Sequence, residues 1–222
     1  MKKSRKMAGN RKGAWLVQEK ECGARHFGGT CMDRLDLEED SYGFAGRLKI
    51  STGFQKEDIS DYQRIFDEEK RIVRCSFQWQ GHPVEIMTFA SCEEELMYYE
   101  ISTDINCLQL DIVFQPEQKT AYCNHNLGGF YFEAKNRKAL LIGKGELKAD
   151  GFPKADENGI HIKNASRVAF RIYMKSEAPQ KGVKPMIQAV KMQMAMNRYL
   201  AKTDDISREA LIRMQEKRTS KA

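Results

Sequence analysis

No apolar run in the sequence approaches the roughly 20 residues needed to cross a bilayer. The apolar stretch near the start, Ala14 to Val17, is also shorter than the roughly 7 to 15 residues of a secretory h-region. These two shortages predict a cytoplasmic chain with no membrane partner. Paired cysteines are missing as well: the 6 cysteines, Cys22, Cys31, Cys75, Cys92, Cys107 and Cys123, include no C-x-x-C pair. Structural zinc sites favour tightly spaced ligand pairs. The grouping of Cys22, His26 and Cys31, with Cys123 and His125 far downstream, therefore reads as irregular loop before it reads as a metal site. In a reducing compartment Cys75, Cys92 and Cys107 read as small core hydrophobes. No metal and no other cofactor is expected. Gly23 and Gly28-Gly29 are not spaced as a dinucleotide loop, and the serines and histidines form neither a nucleophile elbow nor a recognisable triad.

What is present bounds the fold. The chain has 222 residues, of which 41% are hydrophobic and 31% charged. That is too apolar for a disordered chain and is enough for one good-sized domain. The formal net charge of +6 is unevenly placed. Residues 1 to 12 carry six basic residues and no acid, residues 180 to 222 carry ten against four, and the middle nets −6. A nucleic-acid binder gathers its basic residues on one folded face with aromatics among them. Basic residues confined to the two ends read instead as solvated tails, and no nucleic-acid partner is expected.

From residue 42 to 175 the dominant period is two. Val73, Cys75, Phe77 and Trp79 alternate with Ile72, Arg74, Ser76 and Gln78, the pattern of a half-buried strand. Gln80-Gly81-His82-Pro83 is a turn signature, returning the chain as Val84, Ile86, Thr88 and Ala90 in a hairpin. Further strands are expected at Arg47 to Ile50, Leu96 to Thr103, Leu108 to Phe114, Phe130 to Ala134, within 138 to 150, at Gly159 to Lys163 and at Val168 to Met174. Lys154 to Asn158 reads as a polar turn. Seven to nine short strands with no helical pattern between them predict an antiparallel β-sandwich rather than βαβ units. After Pro179, Met186, Ile187, Val190, Met194 and Leu200 recur at helical spacing, predicting a helix over 185 to 202. Ile206, Ala210, Leu211 and Met214 predict a second helix to about 218. The division is an irregular segment 1–41, a sandwich 42–176 and a helical tail 177–222.

One stretch resembles a known family. Asp61-Tyr62-Gln63-Arg64-Ile65-Phe66-Asp67, the hairpin VRCSFQWQGHPVEIMTFAS and Leu96-Met97-Tyr98-Tyr99-Glu100-Ile101-Ser102 are similar to the N-terminal domain of glycoside hydrolase family 95, which contains α-L-fucosidases and α-galactosidases. Tyr62, Arg64, Asp67, Gly81, Phe89, Ala90 and Ser91 fall at matching places. Ser41 to Leu48 looks like the strand before them, and Tyr131 to Met174, with Ile162-Lys163-Asn164-Ala165, looks like the last sandwich strands. Related sandwiches occur in the family 65 phosphorylases. Gly9 to Ala14 matches the family's opening segment weakly, and the Asn-Glu-Asp-Thr-Leu-Trp-Ser run is missing. The family's catalytic carboxylates lie in a following (α/α)6 barrel, so no position here inherits a catalytic role. The resemblance implies a non-catalytic sandwich that packs on a barrel carried by another chain.

Read directly, the chemistry agrees. Glycoside hydrolysis needs two carboxyl groups facing one sugar. The acidic runs Glu38 to Asp40, Asp67 to Glu69 and Glu93 to Glu95 consist of neighbours that point to opposite sides of a strand, and they read as solvated loops. His82 is expected in a turn and His161 on a strand facing solvent. Rings can stack on sugars; Phe77, Phe89 and Phe132 are assigned to the core, leaving Trp79 and Tyr99 as candidate glycan contacts. The alternative reading is a free-standing carbohydrate-binding sandwich. The two differ in the tail: an apolar stripe on Met186, Val190, Met194 and Leu211 is exposed in the first and folded onto the sandwich in the second.

Overall fold

The alternation over residues 72 to 90 closes as expected. In the computed structural model, β6 (Ile72–Trp79) and β7 (His82–Ala90) pair antiparallel across Gln80-Gly81, with Trp79 opposite His82. Both turn residues have positive φ, 50° and 84°, the two-residue geometry whose twist suits a hairpin. The structure describes residues 6–9, 14–17, 30–39, 43–67, 70, 72–90, 96–117, 122–136, 138–203 and 209–213. Cys22, His26, Cys92, the run Glu93 to Glu95 and the second helix beyond residue 213 lie outside them.

Before the hairpin come β1 (Lys6–Gly9), β2 (Ala14–Val17), β3 (Thr30–Glu39), β4 (Gly43–Gln55) and β5 (Ile59–Asp67). After it come β8 (Leu96–Thr103), β9 (Leu108–Pro116), β10 (Tyr122–Asn126), β11 (Gly129–Lys135), β12 (Leu140–Ala149), β13 (Phe152–Asp156), β14 (Gly159–Ala165) and β15 (Arg167–Glu177). Helix α1 spans Pro185–Thr203, as the spacing predicts. All the strand pairings described are antiparallel, in a seven-stranded sheet ordered β1-β2-β3-β4-β9-β14-β13 and an eight-stranded sheet ordered β10-β11-β12-β15-β8-β7-β6-β5.

Two expectations are corrected. The segment before residue 42 is not irregular throughout, because β3 pairs along β4 with Leu35 opposite Leu48 and Leu37 opposite Gly46. Its signal is the alternation of Leu35 and Leu37 with Arg34, Asp36 and Glu38. Lys154 to Asp156 are also strand, in β13, so the polar turn shrinks to Glu157-Asn158. In this edge strand the inner positions are only Pro153 and Ala155 while the apolar Phe152 faces outward with Lys154 and Asp156, which hides the period-two signal.

The two sheets face each other over one core. Leu48 and Ile50 of β4 and Ile112 and Phe114 of β9 meet Phe77, Tyr99, Phe132 and Phe170 from the opposite sheet. The rings of Phe114 and Phe130 stack with centroids 5.0 Å apart, and those of Phe114 and Phe132 with centroids 4.2 Å apart. The glycines of β12 make room for this stack: Phe130 lies opposite Gly145 and Phe132 opposite Gly143. A Cβ at either glycine would run into the facing ring.

The eight-stranded sheet is also covered on its outer face. Ala189, Met192, Met196 and Leu200 of α1 pack on Leu140, Ile142 and Tyr173. Leu211, from the helical residues 209–213, packs on Ile72, Phe89, Leu96 and Tyr98. Polar bonds fix both ends of α1. Near its start, buried Gln188 donates from Nε2 to the Ala178 carbonyl (2.8 Å) and accepts at Oε1 from the Gln180 N–H (3.2 Å). At its end, buried Arg171 of β15 donates to the Thr203 carbonyl, placing a cation at the negative pole of the helix. Leu211 is fully buried while Met186, Val190 and Met194 are exposed, so the tail folds onto the sandwich and still presents part of its stripe.

Gly145→Ala is expected to cost about 1–3 kcal/mol, because Phe130 is held from behind by Phe114 and cannot retreat. Urea denaturation with an unchanged slope measures it. Met196→Ala, which empties the seam between α1 and the sheet, should cost about 2–5 kcal/mol in the same experiment.

Candidate functional site

The outer face of the seven-stranded sheet carries a row of polar side chains. Residues opposite one another in a ladder share a face, and the register places Ser51 of β4 opposite Asp111 of β9, Asp111 opposite His161 of β14, and His161 opposite Lys154 of β13. In β9, Leu108, Leu110, Ile112 and Phe114 point into the core while Gln109 and Asp111 point out. The next position on β13 toward its start is Phe152, opposite Lys163. Together these strands form a concavity of about 760 Å³ lined by Gly53, Gln109, Phe152, Lys154, His161 and Lys163 among others. At its rim Asn164 has φ of 55°, where the β14–β9 register shifts between Ile162 and Ala165. Asparagine tolerates this left-handed conformation better than most side chains, and such bulges re-aim side chains next to sites.

His161 lies between two carboxylates. Nδ1 is 2.6 Å from Asp111 Oδ1, and Nε2 is 3.4 Å from Asp156 Oδ1. The hydrogen bond to Asp111 holds the imidazole above its ordinary pKa; partial burial opposes the shift, and the Asp156 bond and the two negative charges reinforce it. Asp156 is held below the usual carboxylate range, first by the Asn158 backbone N–H (2.7 Å) and then by His161 against a small burial penalty. Both ring nitrogens of His161 are thus engaged by carboxylates.

A second titratable cluster joins β8 to β15. The Glu100 carboxylate accepts from the Tyr98 hydroxyl and, at 3.1 and 2.7 Å, from Arg167 Nε and Nη2. Burial, with Glu100 adding to it, pushes the Tyr98 hydroxyl up to about 12. With Tyr98 and Glu100 both buried, this cluster braces β8 against β15. At the sandwich edge, His125 Nε2 accepts from the Phe114 backbone N–H (3.1 Å), tying β10 to the other sheet. Burial pushes the His125 pKa down, so it serves as a neutral strut.

The residues singled out from sequence are not brought together. Tyr99 is 0% exposed, inside the main core, and offers no ring to a glycan; that expectation is corrected. Its alternation is masked because β8 is buried on both faces from Leu96 to Ile101. Trp79 is half-buried against the same core and tilts on Phe54 with centroids 5.2 Å apart. Its indole Nε1 is buried with no hydrogen-bond partner among the described residues. His82 sits beside the hairpin turn, 3.1 Å from Asp104. The expectation that His161 simply faces solvent missed Asp111, which is distant in sequence, and Asp156. Cys123 Sγ is 3.7 Å from the Phe114 carbonyl, and burial pushes its thiol up to about 11. Among the described residues no three or more His, Cys, Asp or Glu side chains are grouped to hold a metal, and no helix is long and apolar enough to cross a membrane.

The His161 pairs give a pH signature. Because the folded pKa is raised, their stabilisation is fully present below the unfolded value of about 6.5 and is lost as pH rises through the folded value. Relative to the wild type, His161→Gln is therefore expected to lose stability at pH 5.5 and to converge with it at pH 9. The aspartates are exposed, so solvent screening keeps the difference small. Denaturant melts of both proteins at the two pH values measure it.

No family model matches the chain, and no curated protein matches it. Among solved structures the chain is similar to a putative kojibiose phosphorylase from the human microbiome, at 13% identity and a TM-score of 0.58, over 98% of this chain and 32% of that one. The chain thus spans about a third of the length of the structure it matches. The likeness is one of fold: this chain's two-sheet antiparallel sandwich is shared with about a third of that structure.

Proposed function

We propose that this chain is the accessory sandwich domain of a glycoside hydrolase-type enzyme, itself non-catalytic, that packs on a catalytic (α/α)6 barrel carried outside these residues. The fold likeness to the kojibiose phosphorylase, which takes in nearly all of this chain and a third of that one, is the observation that carries the reading. The motif Tyr62, Arg64, Asp67, Gly81, Phe89, Ala90 and Ser91 favours family 95, with an α-L-fucoside as substrate of the whole enzyme. The neighbour favours a family 65 phosphorylase. The family 95 resemblance places the chemistry in a barrel. The exposed stripe Met186, Ile187, Val190 and Met194 of α1 supplies an apolar face for that barrel to cover. The reading agrees with His161, whose nitrogens are both committed to aspartates.

The second reading, a free-standing carbohydrate-binding sandwich, is favoured by the concavity beside Phe152. An exposed ring with polar neighbours is the usual composition of a sugar platform.

Purified to homogeneity, the chain is expected to hydrolyse no aryl α-fucoside and to cleave no kojibiose in the presence of inorganic phosphate. Turnover that co-elutes with the chain would overturn the non-catalytic reading. Val190→Asp with Met194→Asp should leave the thermal midpoint of the isolated chain unchanged. The same pair should abolish co-purification with a helical barrel encoded in the neighbouring reading frame. Unimpaired association would remove the stripe from the interface.

A further inference from the structure

We propose that the concavity on the outer face of the seven-stranded sheet binds an acidic oligosaccharide, one containing hexuronate units, with Phe152 as the stacking platform and Lys154 and Lys163 as the carboxylate contacts. The proposal deepens the carbohydrate-binding reading and rests on it for the saccharide class. The charge sign and the geometry come from the side chains themselves.

Phe152 is 72% exposed, although an edge strand could hold a polar residue there at no cost. Its flat ring is what the CH face of a pyranose needs. The lysines bracket it: Lys163 lies directly opposite, and Lys154 is the next residue of β13 on the same face. Neither lysine has an acidic partner among the described residues. The two aspartates of the concavity, in contrast, are both engaged by His161. One imidazole offsets at most one of these two carboxylates, so what a ligand's carboxylate can meet is the pair of lysines flanking Phe152 and not a net positive wall. Gln109 and Asn164 add amides that can bond sugar hydroxyls. Among the described residues the cations lining the space are Lys154, Lys163 and, when protonated, His161, with no arginine fork. A carboxylate carried on a sugar ring can reach a lysine beside the platform. The volume, about 760 Å³, lies within the range of small-ligand sites. At its floor Gly53 carries no side chain, leaving the space over Gln109 open.

The test uses the full chain titrated with a short oligogalacturonide and, separately, with a neutral cello-oligosaccharide of the same length, followed by NMR chemical shifts. Expected are saturable shifts at Gly53, Gln109 and His161 with the oligogalacturonide, and an affinity about tenfold weaker for the neutral sugar. Affinity for the acidic sugar should fall as salt rises. Phe152→Ala, and Lys154→Ala with Lys163→Ala, are each expected to weaken binding about tenfold. These residues are exposed or at a strand edge, and an unchanged thermal midpoint confirms that the fold is kept. Absence of saturable shifts with the oligogalacturonide overturns the site. Equal affinity for both sugars overturns the acidic class, and undiminished binding by Phe152→Ala overturns the platform. Turnover by the chain bears on the non-catalytic reading alone, so the two can fail separately.

Discussion

The structure depends on covering a sheet that is apolar on both faces. In β8 every residue from Leu96 to Ile101 is buried, and in β15 every residue from Val168 to Met174. A sandwich covers one face of such strands with its second sheet; the other must be covered from elsewhere in the chain. Here α1 and Leu211 supply that cover. Each large side chain buried along the seam contributes about 1.5–3 kcal/mol. Gln188 and Arg171 add direction by fixing the two ends of the helix. The architecture is therefore three layers: helix, eight-stranded sheet, seven-stranded sheet.

That arrangement decides where function can sit. The outer face of the eight-stranded sheet is covered by α1 over β12 and β15 and by Leu211 over parts of β6, β7 and β8, and the buried Glu100 carboxylate is bonded by Tyr98 and Arg167. The seven-stranded sheet keeps its outer face open where β4, β9, β14 and β13 run side by side. The row Ser51, Asp111, His161 and Lys154 and the ring of Phe152 occur there. The exposed half of α1, Met186 through Met194, is a second open surface of different chemistry. One surface suits a polar ligand with an apolar face, and the other suits a protein.

The hairpin, the sandwich class and α1 were legible because their signals are local. Phe77 and Trp79 alternate across a Gly81 turn, and Met192, Met196 and Leu200 recur at helical spacing. Strands with weak alternation, such as β10 and β13, were not legible, because their partners and not their own residues make them strands. Tyr99 misled because its neighbours Tyr98 and Glu100 are buried as it is, and no period separates an inward ring from an outward one under a second layer. Phe89 is core as expected, but in the seam beneath Leu211 rather than between the sheets. The site at His161 is non-local: Asp111 and His161 become neighbours through β9 and β14, strands not adjacent in sequence. The readable part was their outward phase, given by Leu110 and Ile112 on one strand and Ile160 and Ile162 on the other.

Native-state hydrogen exchange tests the three-layer account most directly. If α1 is the outer cover of β12 and β15, amides of Ala189 to Leu200 should open only with those strands, at the free energy of global unfolding. If those helix amides exchange freely while β12 and β15 stay protected, the helix is not the cover and the account is contradicted.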